Sequence, residues 1–466
     1  MLRKGTWIKL VLASVVAAGA LAQQRPDVQS VTIDASHTLG RIRALNDLGG
    51  GPLCQRGIVD LTSYYKELGV HWVRLHDVPW TYDNSFDINY VFPKWEADPD
   101  RSENYEFAQT DYYLNSITSL GINIIYRLGY SAEYKTSVHH NAPPSSYDKF
   151  AEISKHIIRH HNEGWANGQK AGIRYWEIWN EPDGKGFWSG TPEEYYRFYV
   201  SVARALKADF PSLKVGGPAL AHDLGFLEGL LKYCQQQKAP LDFVSWHIYT
   251  RDAHAVAQRA QQVHELMVKY GYANSESILD EWNYGPISWG DLFVDPVATR
   301  AYFDASQNAF GAAFDATVLT DLQNVPLDVA TYYTGNTLMW GMFTSSGAPQ
   351  KPYYAFLAFR RMLDCPKRVA IEFAHDDTVT ALAGLSEDGA TLRVLISNIG
   401  QKSRALRLQL KNLPWRGPAK YQKQVIDDRY DLQMVGASRV LGSNESVLED
   451  IGGSSVCLLT IQPAAQ

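Results

Sequence analysis

The run "RYWEIWNE" at residues 174–181 decides how the chain is to be read. Its length and its apolar and aromatic residues suit a buried strand. Yet it carries Glu177 and Glu181, the latter held between Asn180 and Pro182. A carboxylate in such surroundings is costly unless it is paired or useful. The run is one of eight strand-like runs. The others are "RALNDLGG" (43–50), "HWVRLHDV" (71–78), "NIIYRLGY" (123–130), "KVGGPA" (214–219), "DFVSWHIY" (242–249), "SILDEWNY" (277–284) and "DATVLTDL" (315–322). Helix-like segments lie between them, among them "GIVDLTSYYKELG" (57–69), "TDYYLNSITSLG" (110–121) and "TPEEYYRFYVSVARALKADF" (191–210). The last opens with Thr191, Pro192 and Glu194 in a capping-box pattern. Eight strands alternating with helices indicate parallel βαβ units. The count predicts a closed (β/α)8 TIM barrel, although an open doubly wound sheet shares the local pattern.

After "KPYYAFLAFRRML" (351–363), which fits a last barrel helix, the texture changes. Short strand-like runs follow: "RVAIEF", "DTVTALAGLS", "TLRVLISN", "ALRLQL" and "SSVCLLTI", with turn signals such as Glu387-Asp388-Gly389. They predict a smaller C-terminal antiparallel β-sandwich. "VQSVTIDAS" (28–36) also reads as a strand and is expected to join it, clasping the chain ends together. The start of the chain reads as an address. Arg3, Lys4 and Lys9 precede an apolar stretch that closes on Ala20-Leu21-Ala22, a small-x-small cleavage pattern. The stretch is short for a bilayer span, so an uncleaved anchor is the weaker alternative. The expected organisation is a signal peptide at 1–22, an N-terminal strand at 23–36, the barrel at 37–365 and the sandwich at 366–466. The mature chain is expected to be secreted or periplasmic.

Hydrophobic residues make up 45% of the 466 and charged residues 20%, enough for a large core and against disorder. A net charge of −6 argues against a general nucleic-acid binder, which needs a basic surface. The 13 Trp, 27 Tyr and 17 Phe suit a core, and also a site that stacks sugar-ring faces on aromatics. Cys54, Cys234, Cys365 and Cys457 form no C-x-x-C pair, so a structural zinc site is not expected. Their state, disulfides or buried thiols, stays open.

In a parallel barrel, chemistry gathers at the C-terminal strand ends. Those of the eight runs carry Asn46, His76 and Asp77, Arg127, Asn180 and Glu181, His247 and Tyr249, Glu281 and Asn283, and Asp321. Such an array of donors and acceptors is what sugar hydroxyls require. Glu181 ends the fourth run and Glu281 the seventh, so only a closed fold brings them face to face. Two carboxyls about 5–5.5 Å apart make a retaining glycosidase, one as acid/base and one as nucleophile. A partly desolvated glutamate has a raised pKa and can serve as the acid. Two carboxyls suffice for that chemistry, and neither a metal nor another cofactor is expected.

"WNEPD" followed by "FWSGTPEEYYRFY", with "LDEWN" a hundred residues on, resembles glycoside hydrolase family 39, the family of β-xylosidases and α-L-iduronidases. "LTSYYKELGVHWVRLHD", "WEADPDRSENYEFAQTDYYLNSI", "IIYRLGYS", "SWHIY" and "GAPQKPYYAF" extend the resemblance over most of residues 40–363. It implies a barrel carrying a β-sandwich. It implies Glu181 as acid/base, Glu281 as nucleophile and Asn180 as the ligand of the hydroxyl beside the reacting carbon. His247 and Tyr249 match the family's H-x-Y, where the tyrosine orients the nucleophile, and His76 matches the histidine ending the second strand. The resemblance implies a carbohydrate partner, with a β-xyloside-like or other neutral glycoside ahead of an iduronide or arabinoside. In one respect the chain departs from the xylosidase pattern. An acidic pair near the eighth strand should grip the distal sugar hydroxyls. Here that region reads "LTDLQNVPLDVATYY", with Asp321 or Gln323 the nearest substitutes. The departure bears on the sugar and not on the reaction class.

Several residues have bland readings beside the functional ones. Glu177, on the same strand as Glu181 but deeper, reads as a structural ion-pair partner. The pairs His139-His140 and His160-His161 read as solvated surface, lacking carboxylates at ligand spacing. Trp188 and Trp289 follow the catalytic strands and are taken as sugar-stacking residues, with core packing an equal reading. Arg127 reads as a clamp for an acidic sugar or as the buried partner of Asp77 or Glu177. A noncatalytic carbohydrate-binding barrel is the alternative to an enzyme. The presence of both Glu181 and Glu281 speaks against it.

Overall fold

The computed structural model describes residues 28–78, 84–131, 141–337, 339–374, 376–442 and 445–464. The expected signal peptide and the pair His139-His140 lie outside them. Eight parallel strands close a barrel: β1 (Asp47–Gly49), β2 (Trp72–Leu75), β3 (Asn123–Leu128), β4 (Tyr175–Ile178), β5 (Lys214–Leu220), β6 (Phe243–Thr250), β7 (Glu276–Tyr284) and β8 (Val329–Tyr332). Each pairs with its chain neighbour, and β8 closes onto β1. Helices cover the outside. The longest, Pro192–Asp209, starts with the expected capping box: Thr191 Oγ1 accepts from Glu194 N while Glu194 Oε2 accepts from Thr191 N.

The eighth expected strand is corrected. "DATVLTDL" forms the last turns of the helix Ala309–Asp321 and the residue after it, and the true β8 is the short "VATY" that follows. Asn308 caps the helix by accepting from Phe310 N and Gly311 N. The helix is wedged between barrel and C-terminal sheet, where Thr317 and Ser397 hydrogen-bond at 3.1 Å. Covered on nearly every side, it needs no polar face, and without a 3.6 period its β-branched run imitates a strand. Asp321 therefore ends a helix and pairs with His254 at 2.6 Å, away from the strand ends. Asn46 precedes β1 and donates to Leu68 O, so it too is absent from the mouth. Gln323 bonds the backbone of Arg43.

Beyond the barrel, β9 (Lys367–Phe373), β10 (Val379–Leu385), β11 (Leu392–Asn398), β12 (Arg404–Lys411), β13 (Ala419–Ile426), β14 (Asp431–Met434), β15 (Arg439–Leu441), β16 (Val447–Ile451) and β17 (Ser455–Pro463) form one sheet. The N-terminal strand Gln29–Arg41 lies inside it, antiparallel to β9 and parallel to β12. One parallel pair therefore interrupts the expected antiparallel pattern. The sheet rolls over until β13 meets β16, where Lys423 Nζ lies 2.8 Å from Glu449 Oε2. Alternation assigns its two faces. Val394, Ile396, Cys457 and Leu459 fill its own core, whereas Leu395, Val456 and Leu458 join the core of the barrel. All four cysteines are buried free thiols.

Candidate active site

At the C-terminal mouth of the barrel, local departures from ideal strand aim the reactive groups. β4 ends with left-handed backbone at Trp179 (φ 74°) and Glu181 (φ 48°), uncommon for side chains larger than glycine. Trp179 turns into the helical shell against Trp188 and Phe198. Asn180 and Glu181 both face the mouth. Glu181 N donates to Ala219 O at 3.0 Å, tying this turn to the end of β5. Asp183 reinforces the tie by accepting from Ala221 N, His222 N and Asp223 N, each at 2.9 Å. On β7 the pairing with β6 slips by one residue between Leu279 and Glu281. This bulge lets consecutive residues Asp280 and Glu281 both reach the interior, which strict alternation forbids.

The two glutamates share one histidine. His247 Nδ1 lies 2.8 Å from Glu181 Oε1 and 3.5 Å from Glu281 Oε2. One oxygen of each glutamate and a nitrogen of His247 all lie within 4.8 Å of one another. Glu281 is held from both sides. Tyr249 Oη donates to its Oε2 at 2.6 Å, and Arg74 Nη1 to its Oε1 at 2.5 Å. Arg74, fully buried, also pairs with Glu177 at 2.7 Å and Asp280 at 3.0 Å, and donates to Asn180 Oδ1 at 2.8 Å. The Asn180 amide is thereby turned so that its NH₂ is free to meet a ligand.

Burial and neighbouring charges shift several of these groups. Burial pushes the pKa of Glu181 up and the neighbouring charge of Glu281 adds to the rise, while His247 opposes it. Burial disfavours a charge on His247, yet Glu281, Asp280 and the bond to Glu181 hold its pKa well above the usual value, so it is an imidazolium. Asp280 stays ionised, held against burial at about 2 by Arg74 and His247. Burial lifts Glu177 to about 8 despite Arg74. His76 is the opposite of His247. Burial and then the cations Arg127 and Arg74 press its pKa well below 6.5. Its Nδ1 receives the 3.2 Å bond from Arg127 Nε, so the proton of the neutral ring sits on Nε2 and points at Asp77 and Glu281.

Of the residues singled out in the sequence, Glu181, Glu281, Asn180, His76, His247 and Tyr249 converge here. Trp289 stands at the rim, half-exposed, its ring 5.3 Å from that of Tyr249 and edge-on to it. Trp188 is corrected: 1% exposed, it packs edge-on against Trp179 and its Nε1 donates to Thr191 O, so it is core. Arg127 pairs with Asp87 at 2.7 Å, and neither with Asp77 nor with Glu177. His160 and His161 are buried between helices and not solvated. Arg74 and Asp280 reach the mouth although pattern reading passes over them. Arg74 sits mid-strand in "WVRL" and Asp280 needs the bulge, although a lone arginine inside an apolar strand is itself a signal of buried acids.

The sequence profile of glycosyl hydrolases family 39 matches residues 55–375, well over half of the chain. The chain belongs to glycosyl hydrolase family 39. This family 39 chain is 26% identical over 362 residues to a β-xylosidase of Caldicellulosiruptor saccharolyticus, spanning 72% of this chain and 70% of that one. Among solved structures, a glucosidase from Croceicoccus marinus is 27% identical with a TM-score of 0.75, covering 94% of this chain and all of the other. A monomeric β-xylosidase from Caulobacter crescentus shares the fold at 17% identity, with a TM-score of 0.70 and coverage of 94% and 100%. The chain is a glycoside hydrolase.

Proposed function

We propose that this family 39 enzyme is a retaining β-glycosidase that acts on a neutral pentose or hexose unit of an oligosaccharide or polysaccharide, a β-xyloside foremost. The carrying observation is the closeness of Glu181 and Glu281 across His247, with oxygens within 4.8 Å. That spacing suits double displacement, because an inverting pair stands about 6.5–9.5 Å apart to admit a water. A Glu281 oxygen, oriented by Tyr249 and Arg74, attacks the anomeric carbon. The bond to the leaving oxygen breaks and that oxygen takes the proton of Glu181. Glu181, now a carboxylate beside the His247 imidazolium, then accepts a proton from water. The water oxygen attacks the same carbon and Glu281 departs. A neutral sugar is favoured because, among the described residues, both buried arginines of the mouth are engaged by carboxylates and neither is left for a uronate. Relatives named β-xylosidase and glucosidase support the same class.

A panel of 4-nitrophenyl glycosides (β-xyloside, β-glucoside, β-galactoside, α-L-arabinoside, α-L-iduronide) tests the substrate. Hydrolysis of the iduronide alone would overturn the neutral-sugar reading. Azide tests the roles. Glu181→Ala with azide should regain rate and yield a glycosyl azide of retained configuration, whereas Glu281→Ala should yield the inverted azide. Release of inverted sugar by the native enzyme would refute double displacement. We further propose export with cleavage after Ala22, from the charged start and Ala20-Leu21-Ala22. A cytoplasmic product whose intact mass retains Met1 would disprove it.

A further inference from the structure

We propose that Asp77 is a sugar-binding residue of this site, its carboxylate receiving the 3-hydroxyl of the glycone. The inference rests on the retaining-glycosidase reading and names how that site chooses its sugar. Asp77 follows His76 at the end of β2, in left-handed backbone with φ 49°. Strained backbone at a non-glycine residue persists only where the surroundings enforce it, and it collects at ligand sites. The carboxylate is 7% exposed. Its Oδ2 accepts from Tyr333 Oη at 2.9 Å. Its Oδ1 is buried with no hydrogen-bond partner, and His76 Nε2 faces it at 3.4 Å. The nearby cation Arg127 is engaged by Asp87. A buried acid with one oxygen short of a hydrogen bond, faced at 3.4 Å only by a neutral histidine, is a poor structural device. It makes sense as a receptor for a donor that arrives with the ligand.

Position says which donor. His76 Nε2 stands between Asp77 Oδ1 at 3.4 Å and Glu281 Oε1 at 3.9 Å. Glu281 meets the anomeric carbon and, through its other oxygen, the neighbourhood of the 2-hydroxyl, where Asn180 also points. The Asp77 carboxylate lies one step further round the ring, beside the 3-hydroxyl. The support comes across β1 from β8. The Tyr333 ring packs over Gly49, where an added Cβ would lie 3.5 Å from Tyr333 Cδ2, and its hydroxyl reaches Asp77. An acidic grip expected from the eighth strand thus comes from the second, with the eighth contributing only the tyrosine. A grip at C3 is indifferent to the group on C5, which separates a pentose from a hexose, and it rejects a 3-epimer.

The experiment couples enzyme and substrate changes. kcat/KM is measured for the native enzyme, Asp77→Asn and Asp77→Gly on the best 4-nitrophenyl β-glycoside of the panel and on its 2-deoxy and 3-deoxy analogues. Asn tolerates left-handed backbone and Gly adopts it freely, so both variants suit the local conformation. Burial and then the charge of Glu281 lift Asp77 to about 7, so the native enzyme should prefer the parent over the 3-deoxy analogue by about 10–10²-fold, the worth of a hydrogen bond to a partly charged carboxyl. Both variants should lose about that factor on the parent, and little on the 3-deoxy analogue. The 2-deoxy penalty should be the same in all three proteins. Equal losses on parent and 3-deoxy substrate would make Asp77 scaffold and overturn the proposal while hydrolysis itself stands. A native enzyme that cleaves the parent but ignores the 3-hydroxyl would overturn it too. If the native enzyme cleaves no aryl glycoside, the glycosidase reading falls and the proposal with it.

Discussion

Two buried clusters in the barrel are built from the same residue types and do opposite things. At the mouth, Glu181, His247 and Glu281 bring donor atoms within 4.8 Å of one another, and so do Asp111, His160 and His161 in the helical shell. In the shell cluster, His160 bridges Trp165 O at 2.8 Å and both oxygens of Asp111 at 3.0 and 3.2 Å, and its ring stacks on Phe107 at 3.5 Å. Gln169 also donates to Asp111, at 3.1 Å. The acid is fully engaged by its own protein and ties the helix Tyr147–Asn162 to the helix Ala108–Thr118. At the mouth, the Glu181 side chain bonds only His247 among the described residues, and Asn180 accepts from Arg74 while its NH₂ is left for a ligand. Composition does not distinguish the clusters. What distinguishes them is whether the carboxylate is engaged within the fold or held ready for a ligand.

The strongest break of this comparison is isosteric. If Glu281 is the nucleophile proposed above, Glu281→Gln should lower kcat on an aryl glycoside by on the order of 10⁴-fold or more. Asp111→Asn should leave kcat within about twofold and lower only the melting temperature. Comparable losses of kcat would erase the distinction. Tyr249→Phe removes the 2.6 Å bond to Glu281 and should cost about 10–10²-fold in kcat/KM. An unchanged rate would mean that Arg74 orients the nucleophile alone.

His247→Gln sharpens the contrast through pH. In its proposed role Glu181 must be protonated to act, and His247 pulls its pKa down against burial. Removing the imidazolium should lift that pKa, moving the alkaline limb of kcat/KM upward by about one pH unit. A downward shift would show that Glu181 is not the acid. The smallest effect belongs to His161. Neither of its ring nitrogens has a hydrogen-bond partner, and burial presses its pKa well below 6.5, so the folded state refuses a proton that the unfolded state accepts. Stability is therefore lost as pH falls below about 6.5. His161→Phe should raise stability by about 1 kcal/mol at pH 7 and by more at pH 5, with kcat unchanged. Urea midpoints at the two pH values check this, and equal gains at both would contradict it.

The sequence reveals the barrel wherever a strand keeps a contrast with its flanks. "NIIYRLGY" and "SILDEWNY" hold their strands, and the capping box at Thr191 starts its helix as read. The contrast fails at residues 309–332. There a helix covered by both barrel and sheet carries no polar face, and a four-residue strand is too short to show a period. In the site, Glu181 and Glu281 were legible because each sits at the end of a run in a recognisable family pattern. Asp280 was not, since a one-residue bulge sets its direction and bulges leave no mark in an apolar alternation. Trp188 shows the reverse error. Its place after a catalytic strand suggested a ligand, but packing against Trp179 claims both faces of the argument for core.

The N-terminal strand fixes an order of events. Val31 pairs with Phe373 on one side and with Leu408 on the other. A ribosome makes Val31 early and both partners only when nearly the whole chain has emerged. Loop closure over that distance is slow relative to local pairing, so Val31 and Ile33, buried in the finished sheet, wait unpaired through most of synthesis. The barrel segment is complete before the sheet can close. The rolled sheet is thus the last part to assemble, and a chain cut short anywhere before β12 leaves an apolar strand edge looking for a partner in another molecule.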